Sequence, residues 1–548
     1  MKKILLISPI VPELTSDLPR RIKSLPFLEN KALILPLHIA TIAALTPDEI
    51  EVDLWDEPVH GQLDESTELP NYDLVGITGY TAHLPRAKAI SQMFRKRSIP
   101  VAVGGSGVSA APKRYRDDFD ILFIGEAELT WPKFIADWKA GSYREEYRQI
   151  TKPDISLSPL PRWDSIEKKM KNYLAGAVQT TRGCPFDCEF CDVIYLFGRR
   201  SRHKPIDRVL QEVVTLQRFG MERIFFSDDN FVGNPRYTKD LLRELIPLNN
   251  SFRKKITFST QLSINVAKDD ELLQLLADAN FGSFFIGIET PNKESLRETN
   301  KFHNLHANLV EDCRKIQSYG LPITATMIVG FDHDTPEIFD QHFEFIQEAC
   351  LPNPGINILG AMAGTRLWNR LRKEGRLLRA DRPSKVAVNI IPKGMTRAEL
   401  FSGYLDLLER TYNWQNFAAR VKGMVSGVKR QPKVPKKKLR WKRFFQALRF
   451  LRSVDKDARR AIFDIRRHTR KHAPFMMDKV FSLIATQYLH VAKLQSLRET
   501  LCKQISLEES VDIEQFIDRT DVLVPEGFKT AYKDIFEEIH KHVHLGLK

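Results

Sequence analysis

Cysteine is scarce in this 548-residue chain: there are six, and three of them (Cys184, Cys188 and Cys191) fall within eight positions. That excludes a disulfide framework and suits a reducing compartment such as the cytoplasm. No window offers about 18 uncharged apolar residues, the length a membrane span needs. The best candidate, Val480 to Leu494, is interrupted by Gln487 and His490. The apolar run Ile4-Leu5-Leu6-Ile7 behind Lys2-Lys3 is too short for a signal peptide and lacks a small-x-small cleavage site, so it reads as a buried first strand. No G-x-G-x-x-G opens a helix in the first βα unit, which weakens a dinucleotide-binding reading. The formal net charge is +14, but positive charge is also scarce over most of the chain. Residues 421–470 hold 18 Lys and Arg against three acids, a net +15, and the other 498 residues net −1. A protein coating nucleic acid along its whole length is thereby excluded.

What is present is organised in three parts. Residues 1–150 alternate short apolar runs (Lys3–Ser8, Glu51–Trp55, Leu74–Thr78, Val101–Gly104, Ile121–Ile124) with helical stretches, the pattern of a doubly wound parallel sheet, α/β in class. The turns after these strands carry Thr78-Gly79-Tyr80-Thr81, Gly104-Gly105-Ser106-Gly107 and Gly125-Glu126, where ligands of such sheets bind. Each turn alone could be merely tight; together they favour a bound ligand. A Pro- and Ser-rich stretch marks a linker over 151–170. Over 171–390 six further strand signals, from Gly176–Thr180 to Ile356–Gly360, recur every 30 residues or so. They imply a partial or complete (β/α) barrel with its chemistry at the C-terminal strand ends. From 391 to 548 helical periodicity takes over, and the basic block lies inside this helical domain.

Directly after the first barrel strand, Cys184-Pro185-Phe186-Asp187-Cys188-Glu189-Phe190-Cys191 spaces three thiols as C-x3-C-x2-C. Three thiolates on one tight loop can hold three irons of a [4Fe–4S] cube and leave the fourth open to a substrate. A structural zinc site, the alternative, wants four ligands, and the nearest further candidate is His203.

With an aromatic before its last cysteine and its place after strand one of a βα barrel, this motif resembles that of the radical S-adenosylmethionine (SAM) enzymes. The resemblance implies that Cys184, Cys188 and Cys191 ligate the cluster and that SAM chelates the open iron. It further implies that one electron cleaves SAM to methionine and a 5′-deoxyadenosyl radical. Phe190 would pack near the adenine, Asp229 and Asn230 of Ser227-Asp228-Asp229-Asn230 would take the SAM ammonium, and Glu289 would meet the ribose. The Asp-Asp-Asn run could equally be a helix cap. A doubly wound domain ahead of the barrel looks like the cobalamin-dependent branch of the family. Thr78, Gly79, Tyr80, Thr81, Gly104, Gly105, Ser106, Gly125 and Glu126 then become the expected cobalamin contacts. The histidine motif Asp-x-His-x-x-Gly is missing, the nearest stretch being Asp56-Glu57-Pro58-Val59-His60-Gly61, so cobalt is expected to lack a protein histidine.

Cys191-Asp192-Val193-Ile194 and Ile391-Pro392-Lys393-Gly394-Met395-Thr396-Arg397 resemble the subgroup with an appended helical domain that includes the hopanoid C-2 methylases. The implied activity is methylation of an unactivated carbon in a small molecule or lipid, with a flavodoxin- or ferredoxin-type electron donor. Radical oxidation, cyclisation or ring rearrangement without methyl transfer is the alternative. A tRNA-modifying role is disfavoured because methylthiotransferases carry further N-terminal cysteines and none precedes Cys184 here. Residues 434–451 interleave cations with Trp441, Phe444, Phe445, Leu448 and Leu451 at helical spacing. That is the composition of an interfacial helix on an anionic membrane surface, which would make the enzyme peripheral on the inner face of the membrane, and equally of a helix packed on its own domain with a solvated basic face; nucleic acid is not the expected partner.

Overall fold

The computed structural model describes residues 2–11, 32–380, 382, 384–429 and 454–519. The basic amphipathic stretch 434–451 lies outside the described residues, as do residues 520–548 of the expected helical domain. The strands are β1 (Lys3–Ser8), β2 (Ala32–Ile34), β3 (Glu51–Asp56), β4 (Leu74–Thr78), β5 (Val101–Gly104), β6 (Ile121–Ile124), β7 (Glu146–Arg148) and β8 (Tyr173–Val178). They continue with β9 (Thr181–Arg182), β10 (Arg202–His203), β11 (Arg223–Phe226), β12 (Thr257–Leu262), β13 (Phe281–Glu289), β14 (Ile323–Val329) and β15 (Gly355–Ile358).

The first sheet has the order β3-β1-β4-β5-β6-β7 and is parallel throughout. Its strands are apolar on both faces because each face is covered. On β1, Ile4 and Leu6 join one buried cluster, while Leu5 and Ile7 join another with Val75, Ile77, Val101 and Val103. Strand order reverses between β1 and β4, so the ligand crevice of this doubly wound sheet lies at Ser8 and Thr78.

The second sheet, β15-β14-β13-β12-β11-β8-β2, is also parallel and its end strands do not meet, so the barrel is partial. β2, which lies within the expected first domain, pairs instead with β8 (Ala32 opposite Tyr173). Its three residues are too few to give an alternating signal. The expected linker 151–170 is also not free chain. Trp163, Ile166 and Met170 are buried in the core that joins the first sheet to the barrel, and the Arg162 N–H donates to the Ala40 carbonyl (3.1 Å). Tyr173 at the head of β8 donates to Asp56 of β3 (2.8 Å).

After β15 come α1 (Arg366–Lys373), α2 (Arg397–Thr411), α3 (Trp414–Ser426), α4 (Lys456–His472) and α5 (Met477–Ser510). α2 covers the edge strand β15, where Tyr404 donates to the Ile356 carbonyl (2.9 Å). α3 crosses the end of the barrel where the strands begin. There Arg420, fully buried, donates to the carbonyls of Leu351 (2.7 Å) and Thr411 (2.8 Å). α4 packs on α3 through Ala458, Ala461, Ile462 and Ile465. Its outer face presents Arg459, Arg460, Arg466, Arg467, Arg470 and Lys471 around Phe463, which is 55% exposed.

The 34-residue α5 runs the length of the barrel, about 50 Å at 1.5 Å per residue. At the strand-start end, Lys479 donates to the carbonyls of Phe281 (2.8 Å) and Gly320 (2.7 Å). At the other end Glu508, its side chain 2% exposed, takes Arg382 (2.5 Å) and Arg397 (3.0 Å). Burial would raise the Glu508 carboxyl, but the two guanidinium groups outweigh it and hold it below its usual value. Glu508→Gln leaves two buried cations without a counter-charge and should cost about 3–5 kcal/mol. The midpoint of chemical denaturation reads this directly, and an unchanged midpoint would mean that the triad does not hold the strut.

Candidate active site between the two sheets

The C-terminal strand ends of both sheets face each other across one cleft, fastened by ion pairs. Glu126, at the end of β6, has a side chain only 1% exposed and accepts from Arg182 of β9 (2.5 Å) and Arg202 of β10 (2.9 Å). Arg182 also reaches Glu128 (2.7 Å). Burial would raise the Glu126 carboxyl, but the two arginines outweigh it and keep it low. The helix Ser106–Ala110 touches the helix Val193–Leu196 that follows the cysteine loop. Glu126 was expected at cobalamin; in the structure its carboxylate joins the two domains.

On the first-domain wall the glycines let one loop approach another closely, as the tight-turn reading allows. Gly105 has φ 103°, and a Cβ there would stand 2.6 Å from the Gly79 carbonyl oxygen. Gly79 in turn lies against His83, and Gly125 against Gln149. Loop packs on loop, so close backbone approach by itself excludes a side chain at these three positions. What remains open to the cleft is Tyr80, 69% exposed, with Thr81 beside it and Gly104 and Ser106 half-buried. Enough protein surrounds Tyr80 for desolvation to raise its phenol, with Asp229 and Asp192 of the opposite wall adding to the shift. His38 also opens here, its imidazole pushed down to about 4 by desolvation and by His83. His60 turns back onto its own strand end, its ring against Trp55 at 5.2 Å and Nδ1 at 3.1 Å from the Asp56 amide.

The opposite wall is the cysteine loop. Burial raises all three thiols, Cys188 to about 11 with Lys301 partly opposing. The three sulfurs lie near enough to influence one another electrostatically. Among the described residues no group of three or more His, Cys, Asp or Glu is arranged to hold a single metal ion. His203, the fourth-ligand candidate for zinc, packs its ring tilted against Tyr237 at 4.6 Å, with Nε2 3.3 Å from the Ser201 hydroxyl. Three soft, buried thiols whose ionised forms need a counter-cation therefore fit an iron–sulfur cluster.

Around the loop the strand ends behave as follows. Asp228 is not a ligand group: fully buried, it accepts from the Thr180 amide (2.7 Å) and the Thr181 hydroxyl (3.0 Å). Asp229 accepts from the Gly183 amide (2.7 Å) next to Cys184, and burial pushes its carboxyl up to about 6. Asn230 bonds Ser263 (3.1 Å). Glu289 sits at φ 65° after a register shift in β13 and is ion-paired with the buried Lys301. A Cβ at Gly287 would meet both members of that pair, at 2.3 and 2.7 Å, so a side chain there would push their charged ends aside. Lys301 was not legible in advance, because nothing in its sequence neighbourhood marks it. It stands 5.9 Å from the Phe190 ring centroid, and its charge is felt by Cys184 and Cys188. Phe190 packs with Phe331 (6.2 Å between centroids) and the apolar cluster at the ends of β14 and β15.

The concave side of the partial barrel is open. Along β12 and β13, Phe258, Thr260, Phe284 and Ile286 are buried against helices, while the alternate residues Ser259, Gln261, Ser283 and Phe285 point inward. Phe285 keeps 39% exposure and meets Phe225 edge-on at 6.0 Å. Closed barrels fill this space with bulky branched residues; here small polar groups leave room for a ligand.

Family comparison agrees with this arrangement. Residues 178–346 match the Radical SAM superfamily, residues 30–135 the B12 binding domain, and residues 365–505 a domain of unknown function (DUF4070). The chain is 34% identical to an uncharacterized methyltransferase of Synechocystis over 65% of its own length and 66% of that protein's. It is 32% identical to the hopanoid C-2 methylase of Rhodopseudomonas palustris, covering 68% of this chain and 71% of that one. Among solved structures it resembles the cobalamin-dependent SAM radical enzyme OxsB (TM-score 0.58, 14% identity, 97% and 84% of the two chains). It also resembles the methyltransferase TsrM of Kitasatospora setae, solved with cobalamin and a [4Fe-4S] cluster (TM-score 0.54, 14% identity, 86% and 100%). The chain belongs to the cobalamin-dependent, B12-binding branch of the radical SAM enzymes.

Proposed function

We propose that this protein is a C-methyltransferase that transfers a methyl group to an unactivated carbon of a small molecule or lipid, an isoprenoid of the hopanoid kind being the leading substrate class. The observation that carries this reading is the single cleft onto which the ligand ends of both sheets open, because a methyl donor and a hydrogen-abstracting radical must reach the same carbon. The relatives named as methyltransferases, among them the bacteriochlorophyllide d C-8(2)-methyltransferase of Chlorobaculum tepidum at 25% identity, support it.

Bound in this cleft, the cluster with SAM supplies a hydrogen-abstracting radical and cobalamin a transferable methyl group. The chain's residues bind and orient. Cys184, Cys188 and Cys191 hold three irons, and Asp229 and Asn230 accept from the SAM ammonium, a charge-assisted contact. Phe190 packs the adenine, and Lys301 keeps the Glu289 carboxylate fixed near the ribose. Thr78, Gly79, Tyr80, Thr81, Gly104, Gly105, Ser106 and Gly125 form the cobalamin wall, and Phe225 and Phe285 line the substrate side with apolar surface. No general acid or base is required, since hydrogen is removed as an atom.

A flavodoxin- or ferredoxin-type protein is the proposed electron donor. An anionic membrane surface, met through the basic amphipathic residues 434–451, is a further proposed partner. No helix among the described residues is long and apolar enough to cross a membrane.

Methyl-labelled SAM should pass label into product; label recovered only in methionine would favour the oxidising or cyclising alternative. SAM affinity should fall as pH drops through about 6, because protonating Asp229 removes the acceptor of the ammonium. Asp229→Asn should bind SAM more weakly at pH 7.5 and lose that pH dependence in equilibrium binding; a retained dependence would assign the acceptor elsewhere.

A further inference from the structure

The cysteine loop carries two acids between its ligands, Asp187 and Glu189, and both are gripped by a helix some 180 positions away in sequence. Arg366 at the start of α1 donates to the Asp187 carbonyl (2.6 Å) and carboxylate (3.0 Å). Arg370, one turn on, forks the Glu189 carboxylate with Nε at 2.8 Å and Nη2 at 3.0 Å. Its remaining nitrogen reaches Asp332 at the end of β14 (2.5 Å), and Arg376 takes the other Asp332 oxygen (2.5 Å). Burial would raise the Asp332 carboxyl, but the two arginines outweigh it and hold it at about 2. The backbone is fastened as well: the Leu367 amide donates to the Glu189 carbonyl (3.2 Å), and the Glu189 amide donates to the Thr299 carbonyl (2.9 Å). Residue 189 thus has its amide, carbonyl and carboxylate all fixed from outside the loop, between two of the three cysteines.

The grip continues into the helical region. Arg376 donates through Nε to the Ile391 carbonyl (2.9 Å). Leu377 and Arg379 exchange backbone bonds with Asp518 (2.7 Å) and Phe516 (2.9 Å), just past α5. α5 in turn is tied to the far end of the barrel through Lys479.

We propose that the region matching the domain of unknown function is a clamp on the cluster loop, with Arg370 as the central positioning residue and Arg366 and Arg376 supporting it. Planar, bidentate arginine–carboxylate pairs fix direction as well as distance, so the turn Cys188-Glu189-Phe190 is held in the one conformation that aims its sulfurs and the Phe190 ring into the cleft. The arginines offset Asp187, Glu189, Asp332 and Glu374, so removing one of them leaves the acids beside the loop in excess and makes a cluster there harder to reduce. This inference rests on the cluster reading and goes beyond it by giving the appended helices a role in the chemistry.

The test uses the full-length chain, reconstituted anaerobically with iron and sulfide, in wild-type, Arg370→Gln, Arg370→Lys and Glu189→Gln forms. Iron per chain, the midpoint potential of the cluster and the change in its reduced electron paramagnetic resonance spectrum on adding SAM are measured. Arg370→Gln should take up a cluster with a more negative potential and require at least tenfold more SAM for the same spectral change. Arg370→Lys should recover the potential, which needs only charge, and not the SAM response, which needs the fork. Glu189→Gln frees the loop without leaving a buried carboxylate unpaired and should reproduce the SAM defect; it keeps the test decisive if Arg370→Gln fails to fold. Wild-type potential and SAM response in Arg370→Gln, or in Glu189→Gln if only that folds, would overturn the clamp while leaving the proposed function standing. A wild-type chain that binds no cluster would overturn both.

Discussion

Glu126 stands at the end of a strand in one domain with its carboxylate shut away from solvent, and the two guanidinium groups that neutralise it come from the other domain. Removing either side of such a set leaves an uncompensated buried charge, which costs several kcal/mol, so the two sheets are held in one register. Everything proposed for the site depends on that register, because neither wall alone encloses a reaction. The apolar core running from β1 through Trp163 and Tyr173 into β8 supplies the bulk of the cohesion between the domains, and the ion network supplies its direction.

The same logic recurs at the cysteine loop. Three buried thiols cannot ionise cheaply, and a loop of alternating cysteine, acid and aromatic has little preference of its own. Its shape is imposed by partners from Thr299 to Lys301, from the end of β14 and from α1. The long helix α5 links these partners to the opposite end of the barrel, so the appended helices are part of the scaffold of the site.

Much of the architecture was legible beforehand. The strands at Lys3–Ser8, Leu74–Thr78, Val101–Gly104 and Ile121–Ile124 stand where the sequence puts them, since each is a short apolar run between turn residues and is buried on both faces. The three-residue β2 and the helix Trp414–Ser426 were not legible. β2 is too short to show a period, and the helix lies where attention falls on the basic residues that begin within it. The glycine-rich turns stand at the strand ends where the sequence puts them, and loop packing on loop is one reason for their glycines. Sequence shows that a side chain is excluded; it does not show whether a ligand or another loop excludes it.

Local pattern therefore determined which residues form strands, where the ligand ends of the sheets lie and which three thiols stand together, because periodicity, turn chemistry and C-x3-C-x2-C spacing are properties of adjacent residues. The tertiary structure alone decided that Glu126 belongs to the domain joint, that Glu289 is matched by Lys301, and that Asp187 and Glu189 are held by α1. Those pairings join charges separated by from about a dozen to some 180 positions, and only the fold brings them within the few ångströms over which a buried charge must find its counter-charge.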